Sequence, residues 1–136
     1  MYTRLATLIL FGAATACSAQ ESAAPPDVPN GSALYARHCS ACHGRYGEGD
    51  GPVAIAMSVD VPNLRTLARR EGGTFPRDSV IAYIDGRDQP AAHGDRYMPV
   101  WGDVFRWGEP ETDATEAEVR ARIEALADYL ERIQSR

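Results

Sequence analysis

Two cysteines, Cys39 and Cys42, lie three residues apart, and His43 follows the second directly, in the stretch RHCSACHG. A Cys-x-x-Cys pair alone is compatible with a redox disulfide, with half of a zinc site or with two anchors for a haem. A histidine directly after the second cysteine is typical of c-type haem attachment. In that chemistry both thiols form thioethers and the histidine becomes an axial ligand of the iron. The motif therefore predicts that the folded chain forms its binding site around these three residues.

Two other chemistries remain as alternatives for these cysteines. A structural zinc site needs four Cys or His ligands. His38 and His93 are the further candidates, but no second ligand pair has the spacing of a zinc finger. A thioredoxin-like disulfide expects a strand, a loop and a helix in a βαβ setting. No segment of the chain alternates convincingly with a period of two, so that setting is not predicted.

The segment 1–17 is predicted to be an export signal, because one arginine precedes the apolar core LATLILFGAA. About 12 apolar residues are too few to cross a bilayer, which takes roughly 20. Ala14 and Ala16 fit a signal cleavage site of the A-x-A type. Cys17 also resembles the acylated cysteine of a bacterial lipobox, although Ala14 stands where leucine is usual. We predict a periplasmic protein that is either secreted or lipid-anchored through Cys17.

The chain is predicted to fold as one domain over 31–136, preceded by a flexible linker over 18–30. The linker sequence, SAQESAAPPDVPN, is small, polar and proline-bearing, and shows no apolar periodicity. Fully extended it would reach at most about 40–45 Å. That reach lets a domain swing freely from a lipid anchor.

Four helices are predicted within the domain. One starts at Ser32 and leads into the cysteine motif, a second covers 61–73, and a third covers 74–86. The last starts at Thr115, because Thr115 and Glu118 form a capping-box pattern. Its apolar residues recur at helical spacing, at Val119, Ile123, Leu126, Leu130 and Ile133. The predicted fold class is all-α.

Long loops are predicted over 44–61, which is rich in glycine, and over 86–113. Loops of more than about 15 residues without regular structure are uncommon in a compact domain. Two such loops indicate that the chain packs around a further apolar body. A buried haem would be such a body.

A second axial ligand would separate an electron carrier from a sensor or catalyst, and Met57, His93 and Met98 are the candidates. Met57 lies in an apolar stretch and is predicted to be a packing residue. His93 lies in a polar turn and is predicted to be exposed. Met98 is followed by proline, and the stretch RYMPVWGDVF gives it aromatic cover. A thioether opposite a histidine raises the reduction potential of haem iron and fills both axial positions.

The net charge is −5, and all 14 basic residues are arginines. No basic block stands out, so nucleic acid is not predicted as a partner. The local excess of positive charge comprises Arg65, Arg69, Arg70 and Arg77, interrupted by Glu71. It is interpreted as a solvated face, with a docking patch for an acidic partner as the alternative.

From Gly31 to about Ile133 the chain resembles the class I cytochromes c. Gly31 and Tyr35 match the glycine and the aromatic residue of that family's N-terminal helix. Leu126 and Tyr129 match the residues at which the C-terminal helix crosses it. The resemblance implies a cytochrome c fold, with short helices and long loops wrapped around one haem.

The resemblance also implies a set of haem-binding residues. Cys39 and Cys42 would carry the haem covalently, and His43 and Met98 would be the axial ligands. Pro52, in GEGDGP, would match the proline whose carbonyl region accepts a hydrogen bond from the haem histidine. The lysine ring with which the best-known members dock their partners has no counterpart, because the chain contains no lysine.

These features predict a monohaem carrier of single electrons between redox partner proteins, with no small-molecule substrate and no catalytic residue. Two alternatives stay open. One is a haem enzyme or gas-binding sensor with an open distal site. The other is the cytochrome subunit of a larger oxidoreductase, for which the apolar stretch WGDVFRW would supply an interface.

Overall fold

A computed structural model of the chain describes residues 29–88 and 97–135. The predicted export signal, Cys17, most of the predicted linker and His93 lie outside the described residues. Regular structure in the described part is helical, without strands, which confirms the predicted all-α class. The α-helices are α1 (Gly31–His38), α2 (Ser40–His43), α3 (Leu67–Arg70), α4 (Arg77–Asp85), α5 (Trp101–Arg106) and α6 (Asp113–Arg132). Short 3₁₀ turns cover Ala54–Ala56 and Leu64–Thr66.

Helix α6 is the centre of the hydrophobic core. Helices α1, α4 and α5 each pack against it. The predicted apolar stripe is confirmed, because Val119, Ile123, Leu126 and Leu130 are buried and Ile133 packs beside them. The other helices add four buried side chains, Tyr35, Val80, Ile84 and Phe105.

The crossing of α1 and α6 depends on a glycine. A Cβ atom at Gly31 would run into the backbone carbonyl of Ala125 and would lie 3.1 Å from the Cβ of Tyr129. The rings of Tyr35 and Tyr129 pack with their centroids 5.0 Å apart. The predicted contact between the two terminal helices is therefore confirmed, and only glycine allows this close approach of the backbones.

Both terminal helices begin at positions that differ from the predicted ones. Asn30, predicted as the end of the linker, caps α1, because its side-chain oxygen accepts from the amides of Ser32 at 3.1 Å and Ala33 at 3.2 Å. The predicted start of α6 at Thr115 is wrong. Thr112 is the N-cap, and its hydroxyl accepts from the amide of Thr115 at 3.2 Å. Both threonines can cap a helix, and the earlier one does so.

Two of the predicted element assignments need correction. The segment predicted as a loop after residue 86 contains α5, which is only six residues long. The helix predicted over 61–73 is reduced to a 3₁₀ turn and the short α3. The residues before that turn stay extended because the Leu64 amide donates to the Gly47 carbonyl at 2.7 Å instead of entering a helix.

The glycine-rich segment after α2 is a loop, as predicted, and it folds back onto α2. The amides of Gly49, Gly51 and Val53 donate to the carbonyls of His43, Cys42 and Ala41, at 2.8, 3.1 and 2.9 Å. These are carbonyls that a helix end leaves without an intrahelical partner. A Cβ atom at Gly51 would collide with the carbonyl of Ala41, so this contact too requires glycine.

Within the two described ranges, no helix combines the length and the apolar character that spanning a membrane would require.

Candidate functional site

The cysteine motif forms a single helical turn directly after α1. Cys39 is the residue between α1 and α2, and its carbonyl accepts from the amides of Cys42 at 3.2 Å and His43 at 2.9 Å. Residues three and four positions apart lie on one face of a helix. Cys39, Cys42 and His43 consequently present their side chains on the same face, and all three line one cleft.

The cleft has a volume of about 700 Å³ and is walled mainly by apolar side chains. Its walls come from the cysteine turn, the segment after the glycine-rich loop, α3, α4, the residues before α5, and α6. The apolar and aromatic members of the lining are Tyr35, Met57, Val59, Val61, Pro62, Leu64, Leu67, Pro76, Val80, Tyr83, Ile84, Tyr97, Met98, Pro99, Trp101, Leu126 and Leu130.

His43 is oriented by a backbone carbonyl. Its Nδ1 lies 3.2 Å from the carbonyl oxygen of Pro62. A carbonyl oxygen can only accept, so Nδ1 carries the proton and Nε2 keeps its lone pair. Burial lowers the pKa of His43, although the bond to Pro62 opposes that shift. Neutral imidazole with a free ring nitrogen is the form that binds a metal.

The partner predicted for this ring was the wrong proline. Pro52 is exposed and does not line the cleft, whereas Pro62 does both the lining and the hydrogen bonding. The reason is the fold of the glycine-rich loop, whose amides bond to the end of α2. The loop therefore lies against the helix end, and the extended segment that follows passes beside the ring.

Cys39 and Cys42 are not joined in a disulfide. Burial raises the pKa of the Cys39 thiol to about 12, with a smaller contribution from Cys42. Redox-active and zinc-binding cysteines have a lowered pKa, and the shift at Cys39 runs in the opposite direction. In the described part of the chain, no three His, Cys, Asp or Glu side chains come together as a metal site. The described residues form no strands, so the βαβ setting that a thioredoxin-like disulfide expects is not found there.

Two thioethers line the cleft. Met98 lies there, half-buried and packed against the hydrophobic core, in company with Pro99 and Trp101. Met57, predicted to be a packing residue, lines the cleft as well and is also half-buried. Both thioethers therefore line the same cleft as His43, and they differ in how firmly the protein holds them. Only Met98 packs against the core.

One buried hydrogen bond joins the cysteine turn to the helical core. The hydroxyl of Tyr35 donates to the carbonyl of Gly44 at 2.7 Å. Gly44 follows His43 directly, so this bond fixes the end of the turn that carries His43. Burial, as the largest cause, raises the pKa of Tyr35 well above its usual range, which keeps the hydroxyl protonated as a donor.

Two side chains near the site have roles that the sequence did not indicate. Pro62 falls within the helix predicted over 61–73, and His38 is predicted only as a candidate zinc ligand. His38 lines the cleft next to Cys39, and its ring packs edge-on against Trp101 and Phe105. The spacing of Trp101 and Phe105, four apart, was the available signal for a helix in that segment.

The residues present fit a covalently attached haem. The cleft is apolar, two thiols and an imidazole nitrogen come from one helical turn, and a core-packed thioether comes from another segment. Thiols, imidazole and thioether are the donor set by which c-type haem is held.

Comparison with known proteins agrees with this fit. A family model described as Cytochrome c matches residues 28–134. The matched range includes every residue that lines the cleft. No curated protein and no solved structure matched the chain.

Proposed function

Because this chain belongs to the cytochrome c family and is therefore a haem-binding electron-transfer protein, we propose that it is a monohaem carrier. It passes single electrons between redox partner proteins. Cys39 and Cys42 anchor the haem, and His43 and Met98 are the axial ligands of its iron.

One observation carries this proposal. The cysteine turn and Met98, which are remote in sequence, line the same apolar cleft, and the carbonyl of Pro62 leaves Nε2 of His43 as the free ring nitrogen. Haem, when bound, supplies a one-electron iron couple. His43 and Met98 would hold the iron with two ligands of different softness, and with both bound no open position would remain for oxygen. The apolar lining excludes water, which lowers the reorganisation that each electron transfer needs.

Electrons would enter and leave at the edge of the cleft. Several lining residues are exposed there, including Val59, Tyr83 and Tyr97. The partner proteins are redox proteins, and the chain has arginines but no lysine with which to dock them.

Export is the second part of the proposal, and the sequence at 1–17 supports it. The protein works in the periplasm, where Cys17 is acylated and tethers it to the membrane. Cells fed a radioactive fatty acid should label the wild type and spare Cys17→Ser. If the wild type is unlabelled but still found in the periplasm, the protein is secreted without a lipid anchor.

The ligand assignment is tested with matched methionine variants of the haem-loaded protein. Met98→Ala should lose the weak red band of sulfur-to-ferric-iron charge transfer, lower the reduction potential and let the reduced protein bind carbon monoxide. Met57→Ala, which removes the other cleft thioether, should change none of these.

One result would contradict the assignment of Met98 as the ligand, and another would contradict the carrier assignment. If Met57→Ala and not Met98→Ala opens the iron, the ligand is Met57. If the wild type itself binds carbon monoxide and lacks the red band, its iron is open. The haem enzyme or gas sensor would then replace the carrier.

A further inference from the structure

We propose that the ring of His38 is a positioning group for Met98. Its edge contacts with Trp101 and Phe105 hold helix α5, and with it the methionine segment, against the cysteine turn. The inference rests on the proposed function, in which Met98 is an axial ligand. It adds a residue that is neither a proposed haem anchor nor a proposed iron ligand.

The ring contacts are the first observation. The centroid of His38 lies 5.2 Å from that of Trp101 and 5.4 Å from that of Phe105, with interplanar angles of 65° and 75°. These are edge-to-face arrangements, in which aromatic rings attract each other beyond the burial of area alone. Trp101 and Phe105 also pack on each other, with centroids 5.6 Å apart. The three rings thus form one cluster.

The place of His38 in the chain is the second observation. It is the last residue of α1 and directly precedes Cys39, one of the two haem anchors. Trp101 is the first residue of α5 and stands three positions after Met98. The cluster thus connects the segment with the proposed haem anchors directly to the segment with Met98. His38, Met98 and Trp101 all line the cleft.

Other contacts fix the remaining sides of α5. Arg122 of α6 donates to the carbonyl of Phe105 at 3.0 Å. A Cβ atom at Gly102 would run into the side chains of Asp85 and Arg87, so α5 lies directly on these two residues. These contacts tie α5 to α6 and to the end of α4. The ring of His38 adds a contact between α5 and the residue that directly precedes the cysteine turn.

The environment of His38 favours a neutral ring. Burial is the largest cause that lowers its pKa, and the positive charges of Arg37 and Arg122 lower it further. A neutral imidazole packs against the indole without the cost of a charge near an apolar wall.

The test measures how readily imidazole displaces the methionine from the oxidised, haem-loaded protein. His38→Ala and Trp101→Ala should each raise the affinity for imidazole by roughly tenfold, the size expected from two lost aromatic contacts. His38→Phe keeps a ring in place and should restore an affinity within about twofold of the wild type. Trp107→Ala is the matched control, because Trp107 is 87% exposed and should leave the affinity unchanged.

The outcomes separate the inference from the proposed function. If His38→Ala and Trp101→Ala bind imidazole as weakly as the wild type, the positioning role is overturned while methionine ligation stands. If His38→Phe fails to restore the affinity, the ring contact is not the cause and the inference is wrong. If the wild type already binds imidazole as tightly as Met98→Ala does, Met98 is not bound to the iron. In that case the ligand assignment of the proposed function is itself wrong. Thermal unfolding of each variant shows that the comparison is made between folded proteins.

Discussion

The helical core and the segment 44–76 are stabilised in different ways. On α6 alone, five side chains are at most 5% exposed. In 44–76, by contrast, no apolar side chain is buried, and those that face the cleft, such as Met57, Leu64 and Leu67, are only half-buried. The segment is instead tied down by polar contacts. The side chain of Gln134 donates to the Leu64 carbonyl at 2.8 Å and accepts from the Ala68 amide at 2.9 Å.

This difference shows which half of the domain needs the cofactor. Burial of apolar surface is the main favourable term in folding, and a typical hydrogen bond contributes only about 1 kcal/mol net because water competes for the same groups. The helical core has its own apolar partners. The segment 44–76 presents its apolar side chains to the cleft. A haem bound there would supply the apolar surface against which they pack.

The strongest test of this contrast removes the covalent anchors. Replacing Cys39 and Cys42 together by serine should abolish acid-stable haem. The chain should then lose most of its free energy of unfolding, which for a domain of this size is about 5–15 kcal/mol. Denaturant unfolding followed by helical circular dichroism measures the loss. Cys17→Ser is the control and should retain full haem content. A double variant with wild-type helicity and midpoint would show that 44–76 folds without the haem.

A smaller effect is expected from overpacking the helical core. Gly31→Val forces the α1 and α6 backbones apart and should cost about 3 kcal/mol of unfolding free energy. Ala33→Val adds the same side chain on the exposed face of α1 and should cost less than about 0.7 kcal/mol. Thermal or denaturant unfolding of the haem-loaded proteins compares the two. Equal costs would mean that the helix crossing does not limit stability.

The hydrogen bond from Tyr35 to the Gly44 carbonyl joins the helical core to the segment 44–76. Its loss should lower the free energy of unfolding by an intermediate amount. Tyr35→Phe removes the donor to the Gly44 carbonyl and leaves a buried acceptor without its partner, at a cost of about 1–2 kcal/mol. Hydrogen exchange of the backbone amides in the cysteine turn should be faster in Tyr35→Phe than in the wild type. Tyr129→Phe, in the partner ring of the same pair, is the control and should leave exchange in the turn as it is. Unchanged exchange in Tyr35→Phe would mean that the turn is held by its backbone bonds alone.

The smallest effect is expected from an ion pair in the helical core, and it depends on pH. Arg87 bonds to Asp85 at 2.6 Å and lowers the pKa of that carboxyl. A lowered pKa in the folded state means stability that is present above the unfolded-state value, about 3.9, and is lost as the pH falls through the folded-state value. Arg87→Met should therefore lower the melting temperature at pH 7 and have a shrinking effect below about pH 4. A difference that stays constant across this range would assign the loss to packing instead.

Some features could be predicted because the signal is local. The cysteine turn follows from five adjacent residues, and the stripe on α6 follows from helical spacing over 20 residues. Helix α5 was missed because six residues make fewer than two turns, and because Gly102 disfavours a helix when considered alone. Gly102 is needed there because Asp85 and Arg87 occupy the space of a side chain.

The sequence by itself determined the chemistry of this protein, since Cys39, Cys42 and His43 lie within one helical turn and cannot be separated by the fold. Only the tertiary structure decided what surrounds that turn. It selected Pro62 over Pro52 as the partner of His43, brought Met57 as well as Met98 to the cleft, and set His38 against α5. These are contacts between residues distant in sequence, and their geometry depends on how the glycine-rich loop and the helices pack around α6.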